Sequence, residues 1–471
     1  MNICFLSNYY RTLFFEKIAD GLAGSGINVF WIAASRRWAD ELIRRGTAPD
    51  RILCLADFKA EWLGAAPPPA ADNPDLAWLE DGGIAVNDLI LMDRELRKRR
   101  YGKTYIAVIT REIRRFLARH DIRAAFGEGT WAYEQVTAHL CAREGREYLA
   151  PYTIRVPADR FGFFRGTTVA DLFELRPPVE ADRAAAATVL EALKTRAYRP
   201  YYYHLQNKVR HFRRHWLGEA VLQSFSNVTA GDETLPTVMD RCRWRFSRIV
   251  NTYRVRWQKP FVKEGIPGDR PFVLVTLHMQ PEASIDVLAS RNANQIENIR
   301  TLSRLLPQGW EIYVKEHSNA IGVRSPRYYR ELQRIPGVRL VDPYADTFRL
   351  IDAARLVLSP TGTVSFEAGL LGTRAATLAP MYFGPVMTPG MITLPTLAAH
   401  EFQQLLDHGR AASDPEAFLA WLYAQSYPGR VSDPVHDPAS MSPDNISTVV
   451  DGFRALLDVI AARRQPNASA A

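Results

Sequence analysis

The feature that most restricts the fold is a pattern repeated along the second half of the chain. A short apolar run stops abruptly at polar or small residues, and a helical pattern follows. Phe272-Val273-Leu274-Val275-Thr276-Leu277 stops at His278, and Ile312-Tyr313-Val314 stops at Lys315-Glu316-His317-Ser318. Leu356-Val357-Leu358 stops at Ser359-Pro360-Thr361-Gly362-Thr363. Apolar runs without alternation are expected of strands buried on both faces, as in parallel sheets covered by helices. In open α/β sheets, ligands bind outside the carboxyl ends of the strands, where these polar residues fall.

The first part of the chain carries the same grammar. Residues 2–6 read as a strand, Phe14 to Leu22 as a helix, Gly24-Ser25-Gly26 as a turn and Asn28 to Ile32 as a second strand. Ala124-Ala125-Phe126 runs into Gly127-Glu128-Gly129-Thr130 and then a helix from Trp131. The expected fold class is therefore α/β, with two Rossmann-like domains facing across a cleft (the GT-B layout), a basic helical insert and C-terminal helices. The expected segments are 1–180 for an N-terminal acceptor domain and 181–262 for the insert. Residues 263–400 would form the nucleotide-sugar domain, and 401–465 the C-terminal helices.

Composition narrows the class. An apolar share of 47% with 23% charged residues is that of an ordinary soluble protein. No stretch reaches the about 18 apolar residues of a spanning helix. The opening residues lack the basic start of a signal peptide. Cys4, Cys54, Cys141 and Cys242 are widely spaced and form neither a metal knuckle nor a disulfide framework. A cytoplasmic protein is expected, peripheral on the inner face of the cell membrane. The net charge of +8 is concentrated: Lys194 to Lys259 holds 14 Lys/Arg against 4 Asp/Glu. Aromatics are interleaved there, among them Tyr201, Trp216, Trp244, Phe246, Tyr253 and Trp257. Docking on an anionic membrane is one expectation, and aromatics packing helices together under a solvated arginine face is the other. No nucleic-acid motif accompanies the charge, so no nucleic-acid partner is expected.

Local chemistry marks a candidate site. Ser359, Thr361, Gly362, Thr363 and Ser365 surround a helix start, where backbone N–H groups and the macrodipole favour an anion. Lys315 and His317 end a neighbouring strand and could supply positive charge. Glu367, read as a first-turn residue, could accept from ribose hydroxyls. Glu128 ends a strand of the first domain and is the candidate base or acceptor-positioning carboxylate. Plainer roles fit the same residues. Lys315 and Glu316 could be a surface ion pair, Glu128 a helix cap, and His278, Gln280 and Glu282 a capping cluster. The first domain has no G-x-G-x-x-G, so the nucleotide is assigned to the second. No D-x-D occurs, so no metal site is expected.

Four motifs follow in order: Gln280-Pro281-Glu282-Ala283-Ser284; Tyr313-Val314-Lys315-Glu316-His317; Arg324-Ser325 with Tyr328-Tyr329; and Thr361-Gly362-Thr363-Val364-Ser365-Phe366-Glu367-Ala368. Together they resemble the capsule polysaccharide synthesis family, which includes the bacterial β-Kdo transferases. The resemblance covers residues 270–390 most clearly. It is weaker from Gly127-Glu128 to Asp159-Arg160-Phe161. It implies a metal-independent GT-B glycosyltransferase with no cofactor beyond its nucleotide-sugar donor, CMP-Kdo in the best-known members. The acceptor would be a lipid-linked or polysaccharide chain. On this resemblance Lys315, His317 and Glu128 are the catalytic candidates. Gln280, Glu282, Glu316, Arg324, Ser359, Thr361, Gly362, Thr363, Ser365 and Glu367 are the donor-binding ones. The family typically has proline where this chain has Ser318. A CDP-activated polyol-phosphate transferase of the same fold, or a non-catalytic assembly or export protein, would carry a similar cradle.

Overall fold

A computed structural model describes residues 1–64, 73–198, 232–262, 270–407 and 414–463. The described residues of Met1–Asp182, His215–Pro236 and Trp421–Ala471 form one compact unit. Those of Arg183–Arg214 and Thr237–Ala420 form a second. In chain order the strands are β1 (Asn2–Leu6), β2 (Asn28–Ala33), β3 (Ile52–Cys54), β4 (Ala124–Phe126), β5 (Glu147–Ile154) and β6 (Arg160–Arg165). There follow β7 (Phe272–Thr276), β8 (Glu311–Lys315), β9 (Val338–Val341), β10 (Leu356–Ser359), β11 (Ala375–Thr377), β12 (Pro389–Met391) and β13 (Tyr427–Pro428). The helices that matter below are α1 (Arg11–Leu22), α2 (Ala132–Arg143), α3 (Glu180–Lys194) and α4 (Val238–Gln258). The others are α5 (Gln295–Leu305), α6 (Pro326–Gln333), α7 (Thr363–Leu370) and α8 (Pro443–Arg463).

The fold class is α/β, with a sheet in each unit. In the first unit the strand order is β13-β6-β5-β4-β1-β2-β3, parallel except where β6 pairs with β5 and β13. In the second it is β12-β11-β10-β7-β8-β9, parallel throughout. Both sheets begin in the middle and grow first to one side, then to the other. Each therefore has a point where the direction reverses: between β1 and β4 in the first unit, between β7 and β10 in the second. Connections leave that point in opposite directions and open a crevice at the strand ends.

The core of the first unit is aromatic. Phe5 and Phe126 lie 5.4 Å apart between ring centres, and Phe453 of α8 sits 5.1 Å from Phe126 and 4.8 Å from Phe163. Helix α8 presents Val449, Val450, Phe453, Leu456, Leu457 and Ile460 as buried residues at helical spacing. It thus covers the first sheet although it comes last in the chain. A Cβ on Gly21 would stand 2.5 Å from Val450, so α1 admits this close approach only with glycine there.

Within the segment expected as a helical insert, the described residues include α3 and α4, with Thr237 capping α4 just after Pro236. Gly231, Trp216 and the aromatics from Tyr201 to Phe212 lie outside the described residues. Among the described residues, no helix is long and apolar enough to cross a membrane.

Candidate functional site

In the second unit the end of β7 lies between the two polar groups singled out in the sequence. The Lys315–His317 and Ser359–Glu367 segments are thus not on adjacent strands, as their repeated pattern suggested. With neighbouring strands about 4.8 Å apart, β8 and β10 stand about 10 Å from each other, and His278 fills the gap. Its Nε2 is 3.1 Å from the Thr361 hydroxyl, across the reversal point. Thr361 donates its one proton to the Ser284 carbonyl at 2.8 Å, so Nε2 of His278 must be the donor to Thr361. In the neutral imidazole the lone pair is then on Nδ1. Burial, reinforced by the nearby charges of His317 and Arg324, pushes its pKa down to about 4. That Nδ1 is buried and, like Oγ of Ser284, has no hydrogen-bond partner among the described residues.

Gln295, at the start of α5, holds the backbone of His278 on both sides. Its Oε1 accepts from His278 N at 2.8 Å and its Nε2 donates to His278 O at 3.0 Å. The same Nε2 reaches Gln280 Oε1 at 2.7 Å, and Gln280 donates onward to Ala293 O at 3.0 Å. Gln280 is therefore a brace within the protein. Glu282 is exposed, at the start of the short Ala283–Asp286 helix, and makes no side-chain cap.

Glu316 and Arg324 form a buried ion pair, and Arg324 also donates to the His278 carbonyl. Glu316 accepts from Tyr329 Oη at 2.9 Å and from its neighbour His317 N at 2.7 Å. The surface pair of Lys315 with Glu316 is thus replaced by a buried Glu316–Arg324 clamp that ties the end of β8 to β7. Lys315 is itself buried, and its ammonium donates to Pro343 O at 2.7 Å, beyond the end of β9. Burial lowers its pKa to about 8. The structure does not bring this ammonium to the Thr361 group. His317 behaves differently. Its ring is exposed on one side, and Nδ1 accepts from Asn319 N at 3.2 Å, which leaves Nε2–H as an outward donor. Partial burial, with the charges of Lys315 and Arg324 added, lowers its pKa although Glu316 opposes the shift.

The Ser359–Glu367 segment divides into framework and open groups. Oγ of Ser359 accepts from Gly362 N at 2.9 Å and lies 2.7 Å from Oγ of Ser365. Ser365 donates to Ala376 O at 3.0 Å. Both serines are fully buried and fix the turn. Helix α7 then starts at Gly362 with no side-chain cap and no acidic residue in its first turn. The amides of Thr363 and Val364 have no hydrogen-bond partner among the described residues. Gly362 is required here by crowding: a Cβ would meet Ser359 Oγ at 2.9 Å and His278 Cε1 at 3.2 Å. Glu367 falls on the second turn, fully buried, and not on the first turn read from sequence.

The first unit has a corresponding reversal point, and Glu128 sits on it. Asn8 and Arg11, which follow β1, both engage its carboxylate: Asn8 at 2.6 Å and Arg11 as an ion pair. Tyr152 donates to the Glu128 carbonyl at 2.5 Å. Glu128 is not the helix cap. That part belongs to Glu134 of α2, whose carboxylate accepts from the amides of Glu128 at 3.0 Å, Thr130 at 2.7 Å and Trp131 at 3.1 Å. Burial, with the charge of Glu128 added, pushes the Glu134 pKa up to about 7. The amides at the start of α2 that could cradle an anion are therefore taken by the protein's own carboxylate. Sequence reading missed Glu134, Asn8, Arg11 and Gln295. The placement of Glu134 three residues after Trp131 was a usable capping signal. The other three needed the strand order.

No family model matches the chain, and no curated relative matches it. Solved structures do. The β-Kdo 2,7 transferase KpsC of Thermosulfurimonas dismutans is 12% identical, with 68% of this chain and 83% of that one covered at a TM-score of 0.31. UDP-GlcNAc 2-epimerase from Methanocaldococcus jannaschii is 13% identical over 90% of this chain and 99% of that one, TM-score 0.25. The calicheamicin glycosyltransferase CalG4 is 12% identical over 99% of each chain, TM-score 0.26.

Proposed function

We propose that the chain is a glycosyltransferase of the GT-B class that transfers a sugar from a nucleotide-activated donor held in the second unit. One observation carries the reading: α7 begins uncapped at the reversal point of its sheet, beside a neutral His278 whose Nδ1 has no partner among the described residues. The helix start offers the amides of Thr363 and Val364, the Thr363 hydroxyl and a partial positive charge of about half a unit. Those groups suit a phosphate oxygen, and Nε2–H of His317 is a further donor. The lone pair on His278 Nδ1 suits a hydroxyl of the ribose or the sugar.

In the proposed reaction the bond between the sugar's anomeric carbon and the phosphate oxygen breaks. Negative charge grows on the leaving phosphate, where oriented N–H groups lower the barrier. A hydroxyl of the acceptor forms the new bond and loses its proton, and Glu128 is the proposed group to take or direct it. Gln280, Glu316, Arg324, Ser359 and Ser365 are proposed to hold the donor end in shape, with Lys315 acting through its charge from beyond β9. The ordered motifs from Gln280 to Ala368 support surface-polysaccharide assembly as the setting. CMP-Kdo is the proposed donor, and a lipid-linked or glycan chain on the cytoplasmic side the proposed acceptor.

Calorimetry and thermal shift against CMP-, CDP-, UDP- and GDP-linked ligands test this. One nucleotide class is expected to raise the melting temperature, and Gly362→Val is expected to abolish that rise. A chain that responds to none of the four refutes the reading. A response to a CDP-linked polyol alone would replace the sugar by a polyol phosphate.

A further inference from the structure

Helix α4 wears its apolar residues on the outside. It rests on α6 through one narrow face, where Val255 and Asn251 are buried. At about 100° per residue, the opposite side carries Met239, Cys242, Phe246, Ile249, Tyr253 and Trp257, spaced by three or four. These side chains are exposed: Phe246 72%, Tyr253 69% and Trp257 83%. The stripe has the period of a core-facing helix and points away from the core. Arg243 and Arg254 flank it on one side, Arg245 and Arg256 on the other. Asp240 is the helix's one acidic residue, and it is bonded to the capping Thr237. Arg243, Arg254 and Arg256 are exposed and form no ion pair among the described residues. The expectation that aromatics of this segment pack its helices together therefore fails for α4.

We infer that the exposed face of α4 docks on an anionic lipid bilayer, with Phe246, Tyr253 and Trp257 entering the headgroup boundary and the flanking arginines meeting acidic headgroups. An aromatic stripe bordered by arginines is what an interfacial helix requires, and Tyr and Trp favour that depth of the membrane. The charge argues against a second copy of this chain as the occupant. Two such faces would set arginine against arginine with little acid to offset them. A soluble polyanion would use the arginines and leave the aromatics in water.

Flotation of the full chain with vesicles tests this independently of the donor site. Phosphatidylcholine vesicles should recover little protein. Vesicles that include phosphatidylglycerol should recover much of it, less so as salt rises and screening grows. Removing an arginine, as in Arg243→Gln or Arg254→Gln, is expected to weaken partition about fivefold each. The double variant F246S/W257S should lose flotation while keeping its melting temperature and the donor-induced shift, because these side chains are exposed. Equal recovery on neutral vesicles, or wild-type flotation by F246S/W257S, overturns the inference. So does a wild-type oligomer that F246S/W257S converts to monomer without any vesicle binding.

Discussion

The Thr361 hydroxyl and Nε2 of His278 meet at 3.1 Å, joining β10 to β7 at the point where the second sheet reverses direction. Because Thr361 spends its proton on Ser284, this contact fixes which nitrogen of His278 carries hydrogen. It leaves a hydrogen-bond acceptor beside a helix start rich in donors, and a nucleotide-sugar offers partners for both.

Gly362→Val places carbon against Ser359 Oγ and His278, where even a Cβ would be 2.9 and 3.2 Å away. Overpacking of this kind costs about 1–3 kcal/mol, and the turn must open to accept it. The expected result is a modest fall in melting temperature with complete loss of the nucleotide-induced rise. Gly384→Ala, where a Cβ meets nothing within 4 Å, should leave the rise intact.

The Glu316–Arg324 clamp should show strong coupling. Both side chains are buried, at 1% and 6% exposure, so removing one leaves the other charged and unpaired. Glu316→Leu or Arg324→Met alone is expected to cost about 3–5 kcal/mol. The double variant should cost clearly less than the sum. Calorimetric unfolding of all four proteins measures the cycle, and simple additivity would show that the pair does not act as a unit.

Glu134 predicts a particular pH dependence. Its pKa is raised by burial from the ordinary carboxylate range to about 7. Its contribution to stability is therefore complete below about pH 4 and declines as pH rises towards 7. Glu134→Gln removes that slope. It also costs about 1–3 kcal/mol near neutrality, because a carboxamide nitrogen cannot accept from the amides that the carboxylate now satisfies. Melting temperatures of the two proteins across this range check both halves of the prediction.

Glu128→Gln keeps the shape of the side chain and removes its basicity. Under the proposed role it lowers sugar transfer by about 10²–10⁴-fold, while the donor-induced thermal shift stays at the wild-type size. Near-native transfer by this variant would assign Glu128 to an ion pair with Arg11 and nothing more.

The strands themselves were legible wherever an apolar run was long enough to stand out. β1 and β4 fall where the sequence puts them, and β2, β7, β8 and β10 differ by a residue at an end. β3, β11 and β12 are three residues each, too short for any periodic signal. β5 contains Pro151, which reads against a strand. It is tolerated because pairing with β4 ends at Leu149, leaving β6 as the one neighbour at that point.

What the sequence determined by itself is local: apolar runs buried on both faces, and polar or small residues where each run stops. Burial and backbone preference act over a few residues, so both can be read from one stretch of chain. Tertiary structure decided which strand ends became neighbours. It set β7 between β8 and β10, and so made His278, not Lys315, the partner of Thr361. It turned Lys315 towards Pro343, paired Glu316 with Arg324, and left the aromatic stripe of α4 facing outward. Each of these depends on contacts between segments far apart in the chain. No local preference encodes such contacts, because their free energy exists only once both sides are folded.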